Sequence, residues 1–316
     1  MEGRIKMKAV ALKDFGQAVE LLDLDVPAPG AGQVLVKVKA AAVNGFDVAV
    51  SNGYLQGMME HRFPVVIGKD FAGVVEALGE GVTEPAVGDR VFGVVAGEAL
   101  GDGSFGEYVV ASATSGIARI PEGVDFAHAA ALGLAGSAAT DSVGAAGITS
   151  GTVVLVAGAT GGVGQQAVQL AAQVGATVIA TAHSPEEVAK VRELGATSTV
   201  DHTGDVVAQV RAEHPDGIDV VLHFAGDPVA LTGALTTGGA LVSTLVMDPS
   251  QVQVDDVNVV PIFAQSTTAT LERIARNHAD GLTKVTLQRE YPLEEAPDAL
   301  RDFTQGTLGK LVITVD

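Results

Sequence analysis

The chain has 316 residues, of which 19 are Lys or Arg, 38 are Asp or Glu and none is Cys, so its formal net charge is −19. The absence of cysteine excludes disulfides, thiolate nucleophiles, iron–sulfur clusters and cysteine-bound zinc. The negative charge argues against general binding to nucleic acid or to an anionic membrane. Apolar residues make up 47% of the chain, yet no run approaches the roughly 18 apolar residues of a membrane span. The sequence therefore predicts a soluble, cytoplasmic protein with no nucleic-acid or membrane partner.

Residues 1–124 predict a β-rich domain, because apolar runs alternate with turns that contain Gly and Pro. One short helix is expected within it, at Phe46–Ser51. The predicted strands are Lys8–Leu12, Ala18–Asp25, Val34–Val43, Asp70–Leu78, Arg90–Val95 and Phe105–Ala111.

From about Asp125 the pattern changes to strands separated by helices, which is typical of βαβ units and a parallel sheet. Small residues predict two helices first, at Asp125–Leu134 and Ser137–Ala146. The alternation that follows is predicted as strands Thr152–Ala157, Thr177–Thr181, Thr199–Val200, Ile218–Phe224 and Ala240–Val246, with helices after Gly162 and at Pro185–Leu194, Val206–Glu213 and Val229–Leu235.

The remainder of the chain returns to mixed structure. An extended segment is expected at Val285–Leu287, a helix at Leu293–Phe303 and a strand at Lys310–Val315. A β-rich start and a β-rich end on either side of an α/β middle indicate one discontinuous domain interrupted by another. The predicted fold class is α/β, with a doubly wound parallel sheet inserted into a β-rich domain.

A glycine-rich turn, Gly158–Gly164, lies between the strand Thr152–Ala157 and a helix with one apolar face. This context predicts dinucleotide binding, because glycine lets the backbone approach a pyrophosphate and the free N–H groups of the helix start point toward its charge. The glycines fall at 158, 161 and 164, which is not the strict GxGxxG spacing. A tight strand–helix connection without a ligand is the alternative.

The end of the second strand of the α/β region bears on the choice of cofactor. NAD-selective sites usually place Asp or Glu there to bind the ribose 2′-hydroxyl. The segment Ala180–Ser184 has no carboxylate, which favours NADPH with Ser184 and His183 near the 2′-phosphate. Glu186 and Glu187 follow closely and oppose this choice, and an ordinary exposed loop histidine is the alternative for His183.

Several motifs, in order and spacing, resemble the zinc-independent, zeta-crystallin-like quinone oxidoreductases of the medium-chain dehydrogenase/reductase superfamily. The resemblance implies a Rossmann domain at 125–264 inserted into a GroES-like catalytic domain at 1–124 and 265–316, with the active site in the cleft between them. The motifs are Val43-Asn44-Gly45-Phe46-Asp47, Gly68-Lys69-Asp70-Phe71-Ala72-Gly73, Val87-Gly88-Asp89-Arg90-Val91, Gly103–Tyr108, Gly158–Gly164, Gly238-Gly239 and Gly309–Val312.

Zinc-dependent relatives in that superfamily carry Cys where this chain has Asn44, His at Lys69 and Cys near Leu134. None of these three residues is a usual zinc ligand, and a lysine ammonium repels Zn²⁺. We therefore expect no metal. Without a Lewis acid the oxidation of an alcohol is disfavoured, whereas transfer of hydride from NADPH to a quinone or an α,β-unsaturated carbonyl compound is feasible.

Three residues are catalytic candidates, two of them implied by the resemblance. Asn44 corresponds to a position beside the nicotinamide, and Tyr54 to a tyrosine at the edge of the substrate pocket. Lys69 is our own hypothesis: its ammonium would stabilise an oxyanion or relay a proton. The alternatives are a solvent-facing or Asp-paired lysine and an exposed loop tyrosine, while Asp47 is expected to brace the short helix.

Beside the glycine turn, the resemblance places further cofactor-binding residues on the loops that follow the strands and near the C-terminus, where a structural role is the alternative for Lys310. The full predicted set is Gly158, Ala159, Thr160, Gly161, Gly162, Val163, Thr181, His183, Ser184, Phe224, Ala225, Gly226, Ser243, Thr244, Leu245, Ile262, Phe263 and Lys310. Two other functions remain open: an enoyl-thioester reductase of a biosynthetic pathway, and a non-catalytic NADPH-binding regulatory or structural protein. The family commonly forms homodimers, which is the expected oligomer.

Overall fold

A computed structural model describes residues 5–97 and 99–316 of the chain. Contacts between Cα atoms divide these residues into two units. Unit 1 contains the described residues up to Leu134 together with Ser266–Leu282 and Thr286–Asp316, and unit 2 contains Ala135–Gln265 with Thr283–Val285.

The first part of unit 1 is rich in short strands joined by glycine turns. Gly73 shows why one glycine is needed there: it lies opposite Val38 in the β3–β6 pair, and a Cβ at this position would clash with the carbonyl of Lys37. The elements are β1 Lys6–Leu12, β2 Glu20–Asp25, β3 Gln33–Ala42, α1 Gly45–Ser51, β4 Glu60–His61, β5 Val65–Val66, β6 Asp70–Leu78, β7 Arg90–Val94, β8 Ala99–Leu100, β9 Tyr108–Ser112, β10 Ile117–Arg119 and α2 Phe126–Ala145. The part of α2 from Ala135 onward belongs to unit 2.

Unit 2 alternates strands and helices. Its six-stranded sheet has the order β13-β12-β11-β14-β15-β16, and every neighbouring pair is parallel. This is the order of the Rossmann fold, in which ligands bind where the strand order reverses, here between β11 and β14. The elements are β11 Val153–Ala157, α3 Gly162–Gln173, β12 Thr177–Thr181, α4 Pro185–Glu193, β13 Ser198–Val200, α5 Val206–Glu213, β14 Ile218–His223, α6 Pro228–Thr232, β15 Leu235–Ser243, a 3₁₀ helix Pro249–Gln251 and β16 Asn258–Pro261.

The remaining elements complete unit 1. They are α7 Thr268–Ala279, β17 Leu287–Pro292, a 3₁₀ helix Leu293–Glu295, α8 Ala296–Phe303 and β18 Lys310–Thr314. Strand β18 pairs with β3 on one side and β17 on the other, in a sheet of order β10-β7-β6-β3-β18-β17 to which β9 adds through β3. The predicted α/β fold class, a doubly wound parallel sheet inserted into a β-rich domain, is confirmed by these topologies.

Both units bury cores made mainly of aliphatic side chains. In unit 1 the larger cluster includes Phe71, Phe105 and Tyr291, which are fully buried among valines and leucines. In unit 2, one cluster packs α3 against the sheet through Ala167, Val168 and other small residues. Small side chains on α3 allow the helix to approach the sheet closely.

Several elements differ from the sequence predictions. The extended segment expected at Val285–Leu287 is strand β17 at Leu287–Pro292, and the helix expected at Leu293–Phe303 begins with a 3₁₀ helix before α8. Two differences are larger. The predicted helices on either side of Ala135-Gly136 form one continuous helix, α2, because an interior glycine costs only about 1 kcal/mol relative to Ala and its Ala-rich neighbours favour helix. The prediction was therefore wrong in breaking the helix. In the second region, Leu235 begins strand β15 instead of ending a helix, and α6 stops at Thr232.

The sequence analysis left β16 and α7 unassigned. Helix α7 had a readable signal, since Thr267 caps it and Leu271, Ile274 and Ala275 are spaced for one buried face. Across residues 5–97 and 99–316, no helix combines the length and the apolar character needed to cross a membrane.

Candidate active site

The turn after β11 has the geometry expected of a dinucleotide-binding loop. Gly158 has a φ of +84°, a left-handed conformation that favours glycine. A Cβ on Gly164, in the first turn of α3, would clash with the carbonyl oxygen of Gly158. The turn is therefore held tightly against the start of α3, and glycine is required at both positions.

Thr181, the last residue of β12, fixes this turn. Its buried hydroxyl accepts hydrogen bonds from the N–H groups of Gly158 (2.9 Å) and Ala159 (3.3 Å) and donates to the carbonyl oxygen of Val156 (3.3 Å). The sequence analysis placed Thr181 among the cofactor-binding residues. The structure shows it holding the loop from behind through backbone amides.

The start of α3 is open toward an acceptor. Its N-cap residue, Gly161, has no side chain to accept hydrogen bonds from the first turn, and the first N–H groups of a helix have no partners within the helix. Gln165 donates from Nε2 to the carbonyl of Thr160 (2.8 Å), while its buried Oε1 has no hydrogen-bond partner among the described residues. Aligned N–H groups beside glycine are suited to bind a pyrophosphate.

The loop after β12 places two carboxylates near the predicted 2′-phosphate residues. Glu187 Oε2 accepts from the N–H groups of His183 (2.6 Å) and Ser184 (3.3 Å), and Ser184 Oγ caps α4 by accepting from Glu187 N (3.2 Å). The His183 ring lies 3.0 Å from both carboxylate oxygens of Asp201. Hydrogen bonds from the N–H and hydroxyl of Thr203, and then from His183, lower the pKa of Asp201 to about 2. The donors of this loop are thus already bound to carboxylates.

At the end of β14, His223 and Ser243 bind each other. His223 Nδ1 lies 2.8 Å from Ser243 Oγ, and Nε2 lies 3.1 Å from the carbonyl oxygen of Gly226, to which it donates. Burial lowers the pKa of His223, so the ring is neutral. Ser243 Oγ also accepts from the N–H groups of Leu245 (3.0 Å) and Val246 (2.9 Å). Both side chains therefore organise the loops that follow β14 and β15.

The other predicted residues of these loops are distributed between core and surface. Phe224 and Ile262 pack partly against the unit 2 core, and Ile262 N donates to the carbonyl of Ser243 (2.7 Å). Leu245 and Phe263 are more than half exposed, at 55% and 57%. Unit 2 thus carries exposed apolar side chains just after the carboxyl ends of β15 and of the edge strand β16, at the end of the sheet where a Rossmann fold binds its ligand.

In unit 1, Lys310 lies at the centre of a buried polar cluster. Only 4% of its surface is exposed, and its Nζ donates to the carbonyl oxygen of Val43 (2.8 Å) and to Asn44 Oδ1 (2.7 Å). The same ammonium lies 3.5 Å from Asp70 Oδ2. Burial lowers the pKa of Lys310 and raises that of Asp70, and their opposite charges counter both shifts.

Asn44 and Asp70 complete this cluster. Asn44 Nδ2 donates to Asp70 Oδ2 (2.9 Å) and to the carbonyl of Ala42 (3.1 Å), and Asp70 Oδ1 accepts from the N–H of Leu134 (2.7 Å). The cluster therefore joins β3, β6, β18 and the first part of α2. Asn44 and Lys310 were predicted to contact substrate or cofactor. In the structure their side chains are hydrogen-bonded to each other within unit 1.

Lys69 and Asp47 line a cavity of about 340 Å³ beside this cluster. The Lys69 ammonium lies 5.0 Å from the centre of the Phe46 ring, a cation–π contact. Burial lowers the pKa of Lys69. Asp47 is 1% exposed, and its Oδ2 accepts from Asn44 N (2.8 Å), which gives it the expected role of bracing α1. Tyr54, in contrast, is 71% exposed and does not line this cavity in the described part of the chain.

Comparisons with known proteins agree with this architecture. Residues 30–122 match the alcohol dehydrogenase GroES-like domain, and residues 162–268 match the zinc-binding dehydrogenase family. The chain is 28% identical over 331 residues to quinone oxidoreductase of Rattus norvegicus, covering 98% of each protein. A solved quinone oxidoreductase from Coxiella burnetii superimposes with a TM-score of 0.90 at 28% identity, covering 99% of this chain and 100% of that one. The chain belongs to the quinone oxidoreductase-like group of the medium-chain dehydrogenase/reductase superfamily.

Other similar proteins broaden the comparison. A mycocerosic acid synthase-like polyketide synthase of Mycolicibacterium smegmatis is 34% identical over 95% of this chain, which spans only 15% of that relative's length. The NADPH-dependent alkenal/one oxidoreductase of Arabidopsis thaliana chloroplasts is 35% identical over 74% of this chain and 64% of its own length. A mycobacterial protein solved in complex with NADPH has a TM-score of 0.86 at 26% identity, with 98% and 99% coverage.

The residues at the superfamily's zinc positions do not fit a zinc ion. The amide of Asn44 is hydrogen-bonded at both its oxygen and its nitrogen, Lys69 is a cation, and Leu134 offers no side-chain donor atom. Among residues 5–97 and 99–316, no cluster of three His, Asp or Glu side chains is arranged to hold a metal ion.

The sequence did not reveal the acidic residues that bind the predicted site residues in both units. Asp70 was noted only as part of a motif, and Asp47 only as a helix brace. Asp201 and Glu187, which bind the donors of the predicted 2′-phosphate loop, are separated from each other in sequence. A buried polar partner far along the chain gives no periodic signal, so the pairing of Lys310 with Asp70 is visible only in the fold.

Proposed function

We propose that the protein is a zinc-independent reductase that transfers hydride from NADPH to a quinone or an α,β-unsaturated carbonyl compound. The observation that carries the proposal is the cavity of unit 1, which presents the Lys69 ammonium at a position where zinc-dependent relatives have a metal ligand. A fixed cation in a partly buried cavity stabilises an oxyanion more strongly than it would in water.

The chemistry of these acceptors matches such a cavity. A bound reduced nicotinamide supplies the hydride. Hydride addition to a conjugated carbonyl compound leaves a delocalised enolate, or a quinol oxyanion in the case of a quinone, which requires a hydrogen-bond donor and a proton. Lys69 would provide the positive charge, while Phe46 and the aliphatic lining, including Val50 and Val95, would contact the carbon skeleton.

The proposed cofactor site is the turn of unit 2. Gly158–Gly164 and the open start of α3 would bind the pyrophosphate, and the loops that follow β14 and β15 would border the ribose and nicotinamide. The absence of a carboxylate in Ala180–Ser184 supports NADPH, as does the likeness to a protein solved with NADPH. Asn44 and Lys310 would then act by holding β3 and β18 in place, and Tyr54 would contact the acceptor only from an exposed position.

A second candidate is an enoyl-thioester reductase. It is favoured by the 34% identity to a segment of a polyketide synthase, a class of enzyme that carries its intermediates as thioesters. The reaction is the same conjugate reduction, and only the carbonyl substituent differs. The cavity that Lys69 lines would accept either a free enone or quinone or an enoyl thioester. The two proposals are therefore distinguished by the size and charge of the substrate that is reduced faster.

The test is a comparison of acceptors. NADPH or NADH is mixed with 1,2-naphthoquinone, 9,10-phenanthrenequinone, simple enones and crotonyl-CoA, and oxidation is followed at the nicotinamide absorbance band. We expect turnover of quinones or enones with NADPH, and a loss of about 100-fold in kcat for Lys69→Met. Lys13→Met, an exposed lysine of the same unit that pairs with Glu20, is the matched control.

Each outcome assigns one function. Faster turnover of crotonyl-CoA than of any free enone or quinone would select the thioester reductase. Tight NADPH binding without oxidation by any acceptor would leave a non-catalytic NADPH-binding protein. Equal kcat in Lys69→Met and wild type would remove Lys69 from the reaction.

A further inference from the structure

One carboxylate oxygen in unit 1 has no assigned partner. Asp47 Oδ2 accepts from Asn44 N, but its Oδ1 is buried and has no hydrogen-bond partner among the described residues. A buried carboxylate oxygen without a donor costs free energy that a merely structural brace would avoid. Such an unpaired group in a cavity wall is a candidate for chemistry.

The cavity brings this carboxyl group together with Lys69. Both residues line the same space of about 340 Å³, and Phe46, the chain neighbour of Asp47, carries the ring against which the Lys69 ammonium lies. The other buried ammonium of the unit is excluded as a donor to the cavity, because Lys310 is fixed by Val43, Asn44 and Asp70.

We propose that Lys69 and Asp47 form a proton-delivering pair, in which Lys69 protonates the reduced acceptor and Asp47 returns a proton to Lys69. This inference rests on the proposed function. Asp47 acts through Lys69 and is in that sense a positioning residue, whereas Lys69 contacts the acceptor.

In the proposed reaction, hydride transfer to the acceptor is followed by proton delivery from Lys69. Hydride adds to the β-carbon of the acceptor, and the π electrons of the double bond move onto the carbonyl oxygen. One N–H bond of the Lys69 ammonium breaks, and its proton joins the enolate, which completes the reduction. In the described part of the chain no hydrogen bond joins the two side chains, so the proton of the Asp47 carboxyl group then passes to the Lys69 amine through a water molecule in the shared cavity, and the resulting carboxylate takes a proton from solvent.

The charges around the pair favour this sharing of a proton. Asp47 is faced by Asp70 on β6, Lys310 on β18 and Lys69, and burial followed by repulsion from Asp70 raises its pKa to about 7. Burial lowers the pKa of Lys69, which Asp47 and Asp70 oppose. The acidities of carboxyl and ammonium are therefore brought closer together than they are in water.

Asp47→Asn is the variant that isolates the proton. The Asn side-chain oxygen can still accept from Asn44 N, so the brace of α1 is kept, while the titrating carboxyl group is removed. Asp23→Asn, at an exposed carboxylate on β2 of the same unit, is the matched control. Thermal unfolding of each variant verifies that it is folded before kinetics are compared.

The experiment measures kcat against pH with NADPH and the best acceptor, for wild type, Asp47→Asn and Lys69→Met. We expect kcat of wild type to fall above about pH 7, because the Asp47 carboxyl group is then ionised and has no proton to return to Lys69. In Asp47→Asn the fall near pH 7 should disappear and kcat below pH 7 should drop about tenfold with little change in KM. An unchanged profile and rate in Asp47→Asn would overturn the pair.

A second measurement does not depend on turnover. In protein labelled with ¹³C at Asp carboxyl groups, the signal absent from Asp47→Asn reports the Asp47 titration. Removal of the Lys69 charge by Lys69→Met should raise this pKa, and an unmoved signal would overturn the pair even in an active enzyme. If none of the tested acceptors supports oxidation of NADPH by the wild-type protein, the proposed function is refuted, and the role of the pair is refuted with it.

Discussion

The two lysines of unit 1 that carry lowered pKa values differ in what surrounds their ammonium groups. Lys310 is bound by a carbonyl oxygen and an amide oxygen and lies near a carboxylate. Lys69 lies over an aromatic ring and lines a cavity. Burial removes water from both ammonium groups, which is unfavourable. Only at Lys310 do fixed hydrogen-bond and charge partners offset this loss of solvation.

This difference distinguishes the structural role of Lys310 from the catalytic role proposed for Lys69. A buried ammonium whose donors are all committed holds elements together and cannot approach a ligand without breaking those bonds. A cation on a cavity wall is available to an oxyanion. The comparison predicts that loss of Lys310 is felt mainly as instability, and loss of Lys69 mainly as slow catalysis.

The largest expected effect is on Lys310. Lys310→Met should lower the free energy of unfolding by about 3–5 kcal/mol, because Asp70 is left as a buried charge without its counter-ion. Lys69→Met should lower it by less than about 1 kcal/mol, since its loss relieves desolvation. Urea unfolding of both variants checks the comparison.

A double variant sharpens this result. Adding Asp70→Asn to Lys310→Met removes the uncompensated charge while keeping an acceptor for Leu134 N, so part of the stability should return. If Lys310→Met and Lys69→Met were equally stable, the distinction between a committed and an available ammonium would be wrong.

The second effect concerns Asp47 and pH. Its pKa in the folded protein, about 7, is raised above the ordinary 3.8 of the unfolded chain. The folded state therefore holds the proton more tightly, and wild-type stability is lost as pH rises between about 4 and 7. Asp47→Asn escapes this loss and should be more stable at pH 8 by on the order of 2 kcal/mol.

Melting temperatures of wild type and Asp47→Asn across this pH range measure the effect. The gap between them should widen from pH 4 to pH 7 and then stay constant. Asp23→Asn should track wild type throughout, and a gap that is independent of pH would show that the Asp47 carboxyl group is not the titrating group.

The smallest effect concerns the loop after β12 in unit 2, which is proposed to bind the 2′-phosphate of the cofactor. Glu187 occupies the N–H groups of His183 and Ser184, which are also the proposed donors to a 2′-phosphate. Glu187→Gln removes a negative charge from that position and should raise the preference for NADPH over NADH about three- to tenfold. The ratio of dissociation constants for the two cofactors, measured without an acceptor, decides the point. A ratio equal to that of wild type would place the 2′-phosphate elsewhere.

How much the sequence can predict differs between the two units. The turn Gly158–Gly164 was recognisable because glycine spacing, a preceding strand and a helix are local features. The cluster around Lys310 was not, because Asp70 on β6, Lys310 on β18 and Asn44 at the start of α1 are far apart in the chain and only the completed sheet brings them together. Periodicity predicts which face of an element is buried, but not which buried polar groups bind each other.

Asn44 illustrates the limit. The resemblance predicts contact with the nicotinamide or substrate at this position, and the structure shows both the nitrogen and the oxygen of its amide already hydrogen-bonded. Asp47 is the opposite case, since its local role in α1 was foreseen while its free oxygen was not. Whether a polar atom is satisfied depends on partners in three dimensions, which neither motif nor composition records.

The position of β18 between β3 and β17 has a consequence for how the protein is made. All six strands of the unit 2 sheet precede Gln265 in the chain, so that sheet can assemble during synthesis before β18 emerges. The main sheet of unit 1, in contrast, waits for a strand synthesised after the whole of unit 2, and its pairings are long-range contacts of the kind that form slowly. Until Lys310 arrives with that strand, Asp70 has no counter-ion from β18, so the nascent β-rich unit keeps an exposed edge at β3 and depends on late residues to close it.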